Sequence, residues 1–345
     1  MIALIDDHRA GTGTHAYHRG LYGNLMAHGV DAAFYAVAGG GWGGLRWALR
    51  GILGMALDRD LGRLKDRGDV IIHVSNPNLA PLTKSMDVLV TVHDLYYLDR
   101  DSNSRLWSMY SRHNYRYIGS AKHIVTSSTD TAWQLVHRLG QDGGRISVVH
   151  PSVDPVFSPE GLRLEPRPGM KALLHVGYDT PNKNLKGLLS ALSILPQEYI
   201  LVRVGYDSPS TLRLIGRLGL GERVVHVRAD TPERLADVYR GAHLFVFPSF
   251  YEGFGIPPLE AMGCGLPVVA SLRGGLAESV GDAAMVVDPE DPRQMADEIL
   301  SLEDGALRSK LVSKGLKRAR SFGTGEQFSE LIQAYRHAYP GLSIP

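Results

Sequence analysis

Short apolar runs alternating with amphipathic helical stretches predict an α/β chain folded as two doubly wound, parallel-sheet domains. Runs such as Val70–Val74, Leu173–Val176 and Leu244–Phe247 are apolar enough for strands buried on both faces. Helical stretches lie between them, and strands joined through helices pair in parallel. A length of 345 residues suits two cores better than one. The segment His150–Pro159, HPSVDPVFSP, has three prolines and no helical period, so it marks a hinge between domains at 1–157 and 158–322.

Composition narrows the function. With 44% hydrophobic and 21% charged residues the chain reads as a soluble globular protein. Lys and Arg number 37 against 36 Asp and Glu, so no global field recruits nucleic acid. A single cysteine, Cys264, excludes an internal disulfide framework and suits a reducing cytoplasm; among Gly263, Gly265 and Leu266 it reads as a packing residue. Asp6, Asp7, His8 and Arg9 interrupt the apolar start, so no signal peptide is expected. No apolar run approaches the ~20 residues of a membrane span.

In the first domain Ile2–Ile5 is a strand, Asp6–Gly13 a loop, and Thr14 the expected cap of a helix to about Ala27. Gly11 and Gly13 therefore sit at a strand-to-helix turn where amides can meet phosphate. Read as GxGxxA with Ala16, this turn suggests a dinucleotide fold, which needs an acid at the end of the second strand. That strand, about Ala32–Val37, ends in Ala36-Val37-Ala38-Gly39, with Asp31 at its start, so a nicotinamide dehydrogenase is disfavoured. Strand Asp87–Val92 delivers His93-Asp94 at its carboxyl end, where α/β sheets gather ligands. Asp99-Arg100-Asp101 and Asp58-Arg59-Asp60 match a D-x-D metal–diphosphate pattern but read as polar loop or helix-end residues. No HExxH or Cys/His cluster occurs, and His15 and His18 have no further ligands nearby, so no metal site is expected. Arg105–Tyr117 reads as a helix mixing arginines with aromatics, more often a packed helix with a snorkelling outer face than a binding surface. Lys122–Thr126 and Ile146–Val149 are strands around a helix at Thr129–Leu139.

Residues 42–57 stand apart. On a helix, Arg46 and Arg50 share one narrow face and apolar residues cover most of the rest. Such a helix is either packed, in this domain or a dimer interface, or lies on a membrane surface anchored by Trp42 and Trp47.

In the second domain Leu173–Val176 runs into Gly177-Tyr178-Asp179-Thr180-Pro181-Asn182-Lys183-Asn184-Leu185 and a helix to about Leu195. Tyr199–Gly205, Arg223–Val227 and Leu244–Phe247 follow as strands, separated by helices at Thr211–Leu218 and, capped by Thr231, Pro232–Tyr239. Then comes PSFYEGFGIPPLEAMGCGLPVVAS, Pro248–Ser271: a glycine-rich loop, a short helix from about Leu259 to Gly263 with prolines before it, and strand Val268–Ala270. A loop of this kind aims amides and a positive helix end at an anion. It also carries Glu252 and Glu260, and carboxylates beside a bound anion are useful only as acceptors from hydroxyls, which sugars supply. A helix turn at 274–280, strand Ala284–Val287 and helices Arg293–Leu302, Ala306–Arg320 and Gln327–Ala338 complete the chain.

The run E-G-F-G-I-P-P-L-E followed by A-M-G-C-G-L-P-V-V-A-S resembles the E-x7-E signature of the retaining family-four glycosyltransferases. Resemblance is close over about 145–320 and weaker but continuous before. It implies the GT-B fold, two Rossmann-like domains with a cleft between them and a C-terminal helix, 325–340 here, crossing back to the first. By the same resemblance Glu252 contacts the donor sugar, Glu260 the nucleotide ribose, and the amides of Gly253, Phe254 and Gly255 the sugar and phosphate. V-T-V-H-D-L resembles the family's segment whose histidine, here His93, lies beside the donor sugar. The glycine loop with its K-N pair places Lys183 on the diphosphate with Asn184 beside it, and Gly11 and Gly13 face the diphosphate or acceptor. One departure stands out: many members carry arginine where this chain has Tyr178 or Asn182.

These readings predict a metal-independent, cofactor-free hexosyltransferase taking a nucleotide-diphosphate sugar, with a glycan or lipid-linked acceptor. EGFGIPPLE with HDL upstream looks most like mannosyltransferases of glycan assembly and leans the donor toward GDP-mannose. Rival readings are a sugar-nucleotide epimerase or phosphorylase of the same fold and a non-catalytic sugar-nucleotide-binding subunit. The expected location is the cytoplasm, with peripheral contact to the inner face of the membrane as the membrane variant; nothing indicates an oligomeric state.

Overall fold

The computed structural model describes residues 1–6, 13–36, 70–77, 79–80, 87–98, 109 and 112–342. The chain divides into two compact units, 1–152 with 324–345 and 153–323. Gly11, Asp99, Asp101, Asp58–Asp60 and the 42–57 segment lie outside the described residues.

In the first unit the strands are β1 (Ile2–Asp6), β2 (Ala32–Ala36), β3 (Ile71–Val74), β4 (Val88–Val92), β5 (His123–Thr126) and β6 (Ile146–Val148). They pair in parallel in the order β2-β1-β3-β4-β5-β6. β1, β3, β4 and β5 are buried along their whole length, as apolar runs in a two-sided sheet require. Helix α1 (Gly13–Ala27) begins two residues earlier than expected, leaving Thr14 in its first turn rather than at the cap. Helix α2 (Thr129–Leu139) starts on Ser128, whose side chain accepts from the Thr131 amide, and ends on left-handed Gly140. The expected helix to Tyr117 stops at Tyr115, after which the chain turns into a 3-10 stretch, Ile118–Ser120. The C-terminal helix, Thr324–Ala338, belongs to this unit and buries Leu331, Ile332 and Tyr335 with Leu4, Leu21 and Leu25.

In the second unit β7 (Lys171–Val176), α3 (Leu185–Ile194), β8 (Tyr199–Val204), α4 (Pro209–Arg217), β9 (Val224–His226), α5 (Pro232–Gly241) and β10 (Leu244–Phe247) alternate strictly. Then follow α6 (Ile256–Gly263), β11 (Val268–Ala270), α7 (Leu276–Val280), β12 (Ala284–Val286), α8 (Pro292–Ser301) and α9 (Gly305–Arg320). Thr231 caps α5 as expected, accepting from the Arg234 amide. The parallel sheet runs β12-β11-β10-β7-β8-β9. From β7 the chain winds outward through β8 and β9, and from β10 it winds the other way. The two directions part between β7 and β10, the kind of switch point outside whose strand ends α/β sheets gather ligands. One core cluster around Phe245, Phe247 and Met262 and another around Leu188, Leu189 and Ile299 belong to this unit.

Candidate functional site

The loop after β7 and the loop after β10 are stitched together at this switch point. The Phe250 amide donates to the Asn182 carbonyl at 2.7 Å, and Asn182 Nδ2 donates to the Tyr251 carbonyl at 3.1 Å. A 3-10 turn, Pro181–Lys183, then projects Lys183 across to the second loop. Its ammonium lies 2.8 Å from Glu252 Oε1 and 2.9 Å from Oε2, the latter a well-directed hydrogen bond. The Phe247 ring sits 4.6 Å from the same nitrogen. At 18% and 11% exposure the two side chains are largely screened from water, which strengthens their attraction. The loops 177–184 and 248–255 contain no other cationic side chain, Tyr178 and Asn182 being the departure noted in the sequence.

Asn184 adopts left-handed φ 53° and caps α3 by accepting from the Gly187 amide. Its Nδ2 donates to the carbonyls of Pro248 at 3.1 Å and Pro289 at 2.6 Å, and the residue is buried. The side chain expected beside the donor is thus spent on joining three loops of its own unit.

Glu252 is fixed through its backbone. Its carbonyl accepts from the Gly275 amide at 2.9 Å, and a Cβ on Gly274 would fall 2.6 Å from that oxygen. Phe254 turns into the core, edge-on to Phe322 at 5.2 Å between centroids. Gly255, at φ 101°, starts α6 where any side chain would strike Leu276. One buried aromatic between two glycines therefore pins a loop that must turn sharply. In α6, Glu260 is partly buried and accepts from the Tyr239 hydroxyl at 2.8 Å. Burial raises its carboxyl to about 7, the Tyr239 hydrogen bond opposing and Asp154 adding to the rise. Tyr239 was not expected from the sequence; its place on the buried face of α5 reads as plain core.

In the first unit His93 follows β4. Its Nε2 lies 3.3 Å from His18 Nε2, and its carbonyl accepts from Ser127 Oγ and Thr131 Oγ1, each at 3.1 Å. His18 Nε2 also contacts the Ser75 carbonyl at 3.1 Å, so it is the donor there and His93 Nε2 the acceptor. Gly13 opens α1. Lys183, Asn184, Glu252, Gly253, Phe254, Gly255 and Glu260 thus gather in the second unit, while His93 and Gly13 belong to the first. Among the described residues no group of three or more His, Cys, Asp or Glu is arranged to hold a metal ion, and no helix is long and apolar enough to cross a membrane.

Residues 163–318 match the family Glycosyl transferases group 1, and residues 24–157 match Glycosyltransferase Family 4. The O-antigen chain mannosyltransferase B of Escherichia coli is 40% identical over 172 residues, 47% of this chain and 45% of that protein. A D-inositol 3-phosphate glycosyltransferase of Nocardiopsis dassonvillei is 30% identical over 291 residues, 77% of this chain and 67% of that protein. The chain spans about half the length of most curated relatives it matches, 45% and 54% for two of them. Among solved structures, the sucrose-phosphate synthase of Thermosynechococcus elongatus superposes with a TM-score of 0.83 at 22% identity, covering 99% of both chains. That likeness is one of fold, and it is the GT-B fold expected from the sequence.

Proposed function

The chain belongs to the group 1, family 4 glycosyl transferases, and from that membership we propose that it moves a hexose from a nucleotide-diphosphate sugar to a glycan or lipid-linked acceptor with retention at the anomeric carbon. The observation that carries the reading is the Lys183–Glu252 pair at the β7/β10 switch point. A cation and a hydroxyl acceptor are what the two ends of a sugar diphosphate require.

In this reaction the bond from the anomeric carbon to the diphosphate oxygen breaks, and a bond to the acceptor oxygen forms on the same face. The acceptor's proton passes to the leaving phosphate oxygen. Negative charge grows on the diphosphate, where Lys183 and the amides of Gly253–Gly255 stabilise it. Before the donor enters, Lys183 is held by Glu252. Donor entry therefore exchanges one anion for another: phosphate takes the ammonium, and the freed Glu252 accepts from sugar hydroxyls. Glu260 takes the ribose hydroxyls, and the resemblance gives His93, Gly11 and Gly13 to the sugar and diphosphate. The diphosphate is met by protein groups, without metal or cofactor.

The name of the Escherichia coli relative, a mannosyltransferase, supports mannose as the sugar. A lipid-linked acceptor lies at a membrane surface, and the 42–57 segment has the composition to dock there.

A thermal-shift screen over nucleotide-sugars tests the proposal, because a ligand bound by the native state alone raises the transition. The expected result is a shift with one donor class, followed by sugar transfer to a supplied acceptor. Release of an altered sugar nucleotide without acceptor would mark an epimerase, dependence on inorganic phosphate a phosphorylase, and binding without any turnover a non-catalytic subunit.

A further inference from the structure

Arg203 is wholly buried one residue from the carboxyl end of β8, an otherwise apolar strand apart from its first residue, Tyr199. Its guanidinium has five N–H groups and finds an acceptor for each. Nε and Nη2 donate to Asp207 Oδ1 at 3.0 and 2.9 Å. Nη1 donates to His175 Nδ1 at 2.5 Å and to the His175 carbonyl at 3.1 Å. Nη2 also donates to the Gly177 carbonyl at 3.0 Å. The other oxygen of Asp207 takes His226 Nε2 at 2.8 Å. Burying a charge is costly, and an apolar side chain would fill a strand interior more cheaply. What the arginine adds is a fixed direction for one peptide at the edge of the site.

That peptide is Gly177–Tyr178, the first of the loop that carries Lys183. Gly177 has φ 135° and Gly205 φ 145°, and a Cβ on Gly205 would fall 2.1 Å from the Gly177 oxygen. The Gly177 carbonyl is therefore pressed inward against the end of β8, where Arg203 holds it. In a trans peptide the next N–H points the opposite way, so the Tyr178 amide is aimed outward. The stem of Lys183 lies over the same glycine, its Cε 3.6 Å from where a Gly177 Cβ would sit. His175 completes the clamp: its Nδ1 accepts from Arg203, so the proton of the neutral ring stays on Nε2. Burial first, then Arg203 and Lys183, hold its pKa well below the usual range.

We propose that Arg203 is a positioning residue for the diphosphate site: by clamping the Gly177 carbonyl it presents the Tyr178 amide and the Lys183 ammonium together to the donor's phosphates. This rests on the glycosyl-transfer reading of the site. A lysine cannot replace the arginine, because three donors on one nitrogen do not reach acceptors on Asp207, His175 and Gly177 at once.

The test measures inorganic pyrophosphate binding by calorimetry, beside the thermal transition of each protein. The variants are Arg203→Lys, and Arg203→Met with Asp207→Asn so that no carboxylate is left buried and unpaired. Both are expected to bind pyrophosphate about tenfold more weakly or worse, the loss of a directed hydrogen bond to a charged group. That loss should appear in whichever variant keeps a cooperative transition, and in donor turnover more than in donor KM. A folded variant with wild-type pyrophosphate affinity overturns the clamp. If the double variant does not fold, Arg203→Lys decides alone. Wild-type protein that binds neither pyrophosphate nor any nucleoside diphosphate overturns the reading of the site itself, and the clamp with it.

Discussion

The Tyr239 hydroxyl donates to Glu260 Oε2 at 2.8 Å, so the glutamate assigned to the ribose is steadied by a phenol rather than by a cation. Without a counter-charge, burial lifts its carboxyl from 4.5 to about 7. A carboxyl raised on folding adds stability below its unfolded value and loses it as pH climbs through the folded one. The unliganded wild type should therefore weaken between about pH 4.5 and 7, and Glu260→Gln should flatten that decline by roughly 1–3 kcal/mol. Donor affinity should move the opposite way, falling below about pH 7 as the carboxylate gains a proton. Urea unfolding and calorimetry across pH check both slopes; an unchanged nucleoside diphosphate affinity in Glu260→Gln would remove this residue from the site.

Lys183 and Glu252 should behave as a coupled pair. Lys183→Ala leaves the mostly buried Glu252 carboxylate without its cation and should cost about 1–3 kcal/mol of stability. Turnover should fall about 10²- to 10³-fold, because phosphate charge grows toward the transition state. Adding Glu252→Gln should restore stability without restoring turnover. A double-mutant cycle on unfolding and on kcat separates the two effects.

Asn184→Ala removes a helix cap and two hydrogen bonds at a left-handed position, for an expected loss of about 2–4 kcal/mol. Asn184→Asp keeps the acceptor for the Gly187 amide and loses both donations to carbonyls. It should recover only part of the stability, as read from denaturant midpoints at constant slope.

Activity should survive EDTA. Complete loss restored by Mg²⁺ or Mn²⁺ would bring back Asp99 and Asp101 as oxygen ligands.

Vesicles of anionic lipid should pull down the wild type at low salt and release Trp47→Ser combined with Arg46→Glu and Arg50→Glu. Wild type that stays in the supernatant sinks membrane docking.

Lys183, Glu252 and Glu260 stood out in the sequence because the runs that carry them resemble family motifs, and the structure sets Lys183 beside Glu252. The alternation of strands and helices was legible because it is written locally, down to Thr231 as a cap. Tyr239 was not, since a tyrosine on the inner face of α5 looks like core until the partner of its hydroxyl is known. Asn184 reads as a ligand contact in a K-N pair, yet its amide joins carbonyls 64 and 105 residues away, which no local pattern encodes. Arg203 did leave a trace: a charge amid Ile200, Leu201, Val202 and Val204 announces a buried partner without naming it.

Cys264, the single thiol of the chain, is 6% exposed, and burial pushes it up to about 12. A thiol that is neither ionised nor reachable reacts only when its surroundings open. The native protein is therefore a nearly silent background on which surface cysteines can be introduced one at a time for labelling. Its own slow modification becomes a clock for the second unit, counting excursions that expose the helix beneath the glycine loop. A donor sugar that tightens this unit should slow the clock, giving a readout of binding that needs neither an acceptor nor a product.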